Sequence, residues 1–161
     1  MKFAHISDTH LGQRQYHLPT REQDIYDALR QAVKKSIEEK VDFVIFSGDI
    51  FNDKRPPNEA ILLLMQQLIL LKNNNIQSYF ILGDHDKPKE KANSIAWLYS
   101  MTDNSHYIGD GEPKKFENVL IVGLDHHDEG KDRDLLLEKF KEIDLQTKNH
   151  TGHKILVSHQ A

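Results

Sequence analysis

Three short segments bring carboxylates and imidazoles together: Asp8-Thr9-His10, Gly48-Asp49 and Gly83-Asp84-His85-Asp86, with His159 standing near the end of the chain. Carboxylate oxygens and imidazole nitrogens without thiolate form a donor set for manganese, iron or zinc rather than for a structural zinc. If the segments converge, Asp49 lies between two ions and bridges them. Two ions about 3.5–4 Å apart activate a water and stabilise the phosphoryl oxygens of an in-line displacement. Asp8 and His10 share one face if the backbone stays extended, and then grip one ion together. A single aspartate at a strand end serves equally as a turn or helix cap. His5, His106, His126, His127, His150 and His153 read as plain strand-end or loop histidines. The weight lies in the coincidence of the segments, not in any one residue.

The elements that must position these groups alternate between strand and helix. "KFAHIS" reads as a strand, and "REQDIYDALRQAVKKSIEEK" carries Ile25, Leu29, Ala32, Val33 and Ile37 at helical spacing. Thr20 is its expected N-cap, with Gln23 completing a capping box. "VDFVIFS" and "QSYFIL" are apolar runs of buried-strand length. Asn58 is the expected cap of the apolar helix "EAILLLMQQLILLKNN", and a helix is expected over Ala92–Met101. "HYIGDG", "VLIVGLDHH" and "HKILVSHQA" read as further strands, "DRDLLLEKFKEI" as a short helix, and "DGEPKK" and "QTKNHTGH" as surface loops. The alternation implies an α/β fold whose first strands are parallel. Each acidic or imidazole segment then follows a strand, at the sheet edge where such folds gather ligands.

Length and composition narrow the classes. The 161 residues suit one domain with a sizeable core. There is no cysteine, so disulfides and thiolate metal sites are excluded, and a reducing cytoplasm fits. A net charge of −4 argues against nucleic-acid binding through a general basic surface. It leaves nucleic acid open as a substrate, because metal ions held by acids reverse the local field. No membrane span is expected, and "MKFAHISD" lacks the layout of a signal peptide.

"DTH", "GDIF", "GDHD" and the strand-end His159 resemble the calcineurin-like metallophosphoesterase series D-x-H, G-D, G-N-H-[DE], H. Within that superfamily, "KFAHISDTHLG", "REQDIYDAL" and "DFVIFSGDIFNDKRPP" look most like the DNA double-strand-break repair nuclease of the SbcD type, which pairs with an SMC-like ABC ATPase. The resemblance implies a sandwich of mixed β-sheets flanked by helices. It implies Asp8 and His10 as ligands of a first metal, Asp49 as the bridge, and Asp84 and His159 as ligands of a second. It also implies His85 as the phosphate-facing group with Asp86 orienting its imidazole. Two manganese ions, 3′-to-5′ exonuclease action on duplex DNA, endonuclease action on single strands or hairpins, and a prokaryotic cytoplasm with nucleoid association are implied too. Another calcineurin-like phosphoesterase, acting on a nucleotide or phosphoprotein, and a non-catalytic scaffold are the alternatives.

Three features depart from the pattern. Asp84 stands where the family has asparagine, and an ionised carboxylate accepts hydrogen bonds without donating any. Asn52 stands where archaeal and eukaryotic relatives often have histidine and bacterial ones aspartate. The chain stops at "SHQA", before a G-H-x-H segment, a capping domain and an ATPase-binding tail, so residues 1–161 read as the N-terminal part of a nuclease domain, weak or inactive alone. Arg14, His17, Asn52, Lys54, Arg55 and Lys87 lie in loops expected to surround the metal edge and position DNA phosphates. The helix from Glu59 to Leu71 is apolar nearly all round, and Leu62, Leu64 and Trp97 are the expected homodimer contacts.

Overall fold

The computed structural model describes residues 1–87 and 95–160. Two sheets are stacked between helices. The first holds β1 (Phe3–Ile6), β2 (Phe43–Ser47), β3 (Gln77–Ile81) and β4 (Ser105–Tyr107), in that order and all parallel. The second has the order β5 (Lys114–Phe116), β6 (Val119–Leu124), β7 (His153–Ser158), with β5 antiparallel to β6 and β6 parallel to β7. This is the expected α/β arrangement of two sheets flanked by helices, with the correction that only the second sheet is mixed and the first is wholly parallel.

Strand alternation explains the layering. Val44 and Phe46 point to the outer face of the first sheet and pack with Leu29 and Val33 of α1 (Pro19–Glu38) and Leu64 and Leu68 of α2 (Asn58–Asn73). Phe43, Ile45, Tyr79 and Ile81 point inward and meet Val119, Ile121 and Val157 of the second sheet. Val122 and Leu124 close the far side against Ile143 of α3 (Glu129–Thr147). Each such side chain contributes about 1.5–3 kcal/mol on burial. The register aligns Ile6, Phe46, Phe80 and Tyr107 across the first sheet, and Leu124 with Ser158 in the second. Asp8, Asp49 and Asp84 leave the first sheet at one level, and His159 follows β7 directly.

Several local expectations need correction. Neither Thr20 nor Asn58 caps a helix: α1 follows Leu18 and α2 follows Pro57, with no side-chain cap bond at either. Pro19 starts α1 because it has no N–H to satisfy and its φ is already helical. Gln23 instead reaches Asp27, at 3.0 Å. Part of the expected loop "DGEPKK" forms β5, which pairs with β6. The last helix is longer than expected and starts behind Asp128, whose carboxylate accepts the Gly130 N–H at 3.0 Å. Over Ala92–Met101 the structure has a 3-10 helix from Ile95 to Met101, and residues 92–94 lie outside the described residues.

Leu64 is not an interface residue, because it points into the core with 2% exposure. Leu62 is 60% exposed, on a stripe with Ile69 and Leu70. The Trp97 side chain lies outside the described residues.

Candidate metal centre

The loops after β1 and β2 run on together beyond the sheet. Asp8 N–H donates to the Gly48 carbonyl at 3.1 Å, His10 N–H to Asp49 at 3.0 Å, and Leu11 N–H to Ile50 at 2.8 Å. Asp8, His10 and Asp49 have φ values of 54°, 42° and 49°. Left-handed backbone is uncommon for non-glycine residues and persists where surrounding structure enforces it. The turn at Asp8 and His10 overturns the extended-backbone expectation. His10 gathers with Asp49 and His85, while Asp8 gathers with Asp49 and His159, the donor atoms of each group lying within 4.8 Å of one another.

Asp49 belongs to both groups and is 4% exposed. Its Oδ2 lies 3.5 Å from His159 Nε2 and 3.8 Å from His10 Nε2. Its Oδ1 accepts the His85 N–H at 3.1 Å. Gly83 makes this approach possible, since a Cβ there would meet the Asp49 carboxylate and lie 2.5 Å from its backbone nitrogen. Gly48, at φ 95°, serves His159 similarly, with a Cβ placed 2.8 Å from that ring. Asp84 is exposed at the rim, its oxygens 3.9 Å from His159 Nε2 and 3.9 Å from His85 Nε2.

Two ring orientations follow from partners that only accept. His159 Nδ1 donates to the Ser47 carbonyl at 2.9 Å, and His85 Nδ1 to the Asn52 carbonyl at 2.6 Å. In the neutral ring each Nε2 is left with a lone pair facing the cluster. His10 Nδ1 is buried and has no hydrogen-bond partner among the described residues. The buried Asp49 carboxylate with the Nε2 atoms of His10 and His159 within 3.8 Å is a donor set that fits a cation. The Asn52 carbonyl, first among several causes, raises the His85 pKa above its ordinary value, and the nearby Asp49 and Asp84 charges add to it against some desolvation.

Asp86 has a different task from the one expected. Its carboxylate accepts backbone N–H groups from Ile50 at 3.2 Å, Phe51 at 3.0 Å and Gly83 at 3.1 Å. At 1% exposure it ties the loop after β3 to the loop after β2. Burial pushes its pKa up, and the three N–H bonds oppose that shift. The Asn52 carbonyl, not Asp86, holds the His85 imidazole. Asn52 acts here through its main chain, while its side chain donates to Asp53 at 3.0 Å.

The basic loop residues divide. Lys54 and Arg55 line an open cleft of about 500 Å³ with Asn52, Asp53, Asp84 and His85. Arg14 is paired with Glu22 at 2.7 Å, and Lys87 donates to the His126 carbonyl. His17 is exposed on a 3-10 turn at Gln15–His17. Sequence reasoning missed Ser47 and Asp125 and passed over His126 as loop. The available signal was position, since Asp125 and His126 follow β6 as the other site residues follow their strands.

Comparison with protein families matches residues 1–161 to calcineurin-like phosphoesterases. The chain belongs to the calcineurin-like phosphoesterase family. This phosphoesterase domain is similar to the DNA double-strand break repair protein Mre11 of Methanocaldococcus jannaschii, with 39% identity over 99% of this chain and 43% of the relative. It is 39% identical to the protein of the same name from Methanococcus maripaludis, over 100% of this chain and 44% of the relative. Identity to the one from Sulfolobus acidocaldarius is 37%, over 99% and 41%. The phosphoesterase domain thus spans less than half the length of these relatives.

Proposed function

We propose that the chain is the N-terminal part of the catalytic domain of a DNA double-strand-break repair nuclease that hydrolyses phosphodiesters with two divalent ions, manganese by preference. The observation that carries this reading is the pair of donor groups sharing buried Asp49. Asp8, His10, Asp49, Asp84 and His159 would hold the ions, which when bound supply an activated water and charge stabilisation at the phosphoryl oxygens. His85 faces the cleft with Nε2 while the Asn52 carbonyl anchors Nδ1. That anchoring leaves Nε2 as the ring nitrogen that would exchange a proton with the leaving oxygen. Lys54 and Arg55 offer positive charge to DNA phosphates along the cleft that they line with Asn52. Arg14 and His17 stand farther out as DNA contacts.

The similarity to repair proteins supports DNA ends, hairpins and single strands as substrates, with 3′-to-5′ exonuclease and endonuclease action. It also supports an SMC-like ABC ATPase as partner and a cytoplasmic, nucleoid-associated place of work in a prokaryote. No helix among the described residues is long and apolar enough to cross a membrane. The exposed stripe of Leu62, Ile69 and Leu70 on α2 supports a homodimer. Leu62→Glu shifts the sedimentation of the full protein toward monomer, whereas Leu64→Glu unfolds it; unchanged sedimentation of Leu62→Glu removes the dimer.

The deciding experiment gives the full protein end-labelled duplex and hairpin DNA with manganese. Cleavage stopped by a chelator and abolished in Asp49→Asn supports the reading. Hydrolysis of a nucleotide or phosphoprotein without DNA cleavage transfers the protein to another phosphoesterase class. DNA binding without hydrolysis of any of these substrates makes it a scaffold.

A further inference from the structure

The loop that carries Asp84 and His85 leaves the first sheet, while His159 leaves the second. Side chains from the two sheets come together here, with His159 Nε2 3.5 Å from Asp49 Oδ2 and 3.9 Å from Asp84 Oδ1. Apolar contact between the two sheets resists separation but is not directional, so it does not by itself fix such a register. Hydrogen bonds are directional, and besides the bond from His159 Nδ1 to the Ser47 carbonyl a set of them crosses between the sheets at a second place.

That place is the end of β6. Leu82, the residue before Gly83, has both main-chain groups taken there: its N–H donates to Asp125 Oδ1 at 2.8 Å, and its carbonyl accepts the His126 N–H at 2.9 Å. At the other end of the loop, the Lys87 ammonium donates to the His126 carbonyl. His126 Nδ1 donates to the carbonyl of His159 at 3.1 Å. Asp125 is 7% exposed and its second oxygen accepts the Tyr107 hydroxyl at 2.7 Å. Gly109 leaves room for it, since a Cβ there would collide with the Asp125 carboxylate. Gln160 adds a further tie, donating to the Asp125 carbonyl at 3.1 Å and accepting the His127 N–H at 3.1 Å.

We propose that Asp125 and His126 are positioning residues, a clamp that grips the Asp84–His85 loop at both ends and His159 at its carbonyl, and so sets the spacing of donors around Asp49. The proposal rests on the two-ion reading. It assigns His126 a specific donor, Nδ1–H, and this makes the role separable from general support of the fold. Asparagine places an N–H donor close to the Nδ1 position, whereas glutamine places its donor near Nε2. A histidine that only fills space has no reason to distinguish the two.

The test uses the full protein titrated with manganese, read by calorimetry and by the electron paramagnetic resonance of the bound manganese pair. His126→Ala weakens binding of the looser ion about 10- to 100-fold, the usual effect of removing a group that orients a ligand, and reduces the spin-coupled signal. His126→Asn restores both readouts toward the parent and His126→Gln does not. The comparison of these two variants carries the test even if His126→Ala folds poorly. Parent-like affinity and spectrum in His126→Ala, or equal restoration by Asn and Gln, overturn the clamp while leaving the two-ion reading intact. A parent protein that binds no manganese overturns the two-ion reading and the clamp with it.

Discussion

His85 Nδ1 sits 2.6 Å from the carbonyl oxygen of Asn52, a main-chain contact that no side-chain substitution at residue 52 removes directly. The residue that stands next to His85, Asp86, serves the backbone instead. The two acids flanking His85 therefore do different work. Asp84 lies at the rim among the donors, and Asp86 lies beneath, joining the loops that carry Asp49 and His85.

Asp86→Ala orphans three buried N–H groups. Each unsatisfied donor costs about 1–3 kcal/mol, so a stability loss of about 3 kcal/mol or more is expected in urea unfolding. Asp86→Asn, which keeps an acceptor, loses less. A variant with the parent's unfolding midpoint and only a slower rate would return Asp86 to the role of ring orienter.

Gly83→Ala places a methyl group against the Asp49 carboxylate and backbone nitrogen. Because Asp49 belongs to both donor groups, manganese affinity is expected to fall at least about tenfold. Calorimetry reads this directly, and circular dichroism checks that the sheets persist. Parent-like affinity would mean that Asp49 is not held through this contact.

Asp84→Asn exchanges an acceptor for a side chain that also donates. Asp84 is exposed and close to both His85 and His159, so in the proposed reaction its charge opposes an incoming phosphate. The amide is expected to raise the cleavage rate about tenfold, roughly the worth of one hydrogen bond to a charged group, while manganese binding is kept. Equal rates for the two proteins in the same manganese titration refute this.

Glu22 provides a pH-dependent stability that is remote from the centre. The Tyr26 hydroxyl donates to it at 2.7 Å and Arg14 at 2.9 Å, and these partners hold its pKa below the ordinary carboxylate value. A depressed folded-state pKa means stability fully present above the unfolded pKa, near 4.3, and lost as pH falls through the folded value. Glu22→Gln is expected to cost about 1 kcal/mol at pH 7. The gap from the parent should close as thermal melts are repeated at progressively lower pH below 4. A gap that stays constant on acidification would rule out the charged form as its source.

Much of this molecule was legible before folding. The three segments with Asp8, Asp49 and Asp84, and the alternation of apolar runs with helical repeats, imply strand-end ligands on an α/β sheet. Hydrophobic periodicity and residue chemistry are local properties, so a linear chain displays them. What lay beyond reach depended on contacts far apart in sequence or on backbone angles. The left-handed turns at Asp8 and His10, which send them to different groups, appear only when the loops after β1 and β2 lie side by side. Leu62 and Leu64 look alike in an apolar helix, and only the sheet beneath α2 decides that one is buried. Asp86 looked like a partner for its neighbour until Ile50 and Phe51 presented their N–H groups to it. Composition and spacing determined the chemistry available; tertiary packing decided which carboxylate faces the ions and which faces the backbone, because a buried oxygen takes whichever donors the fold brings within about 3 Å.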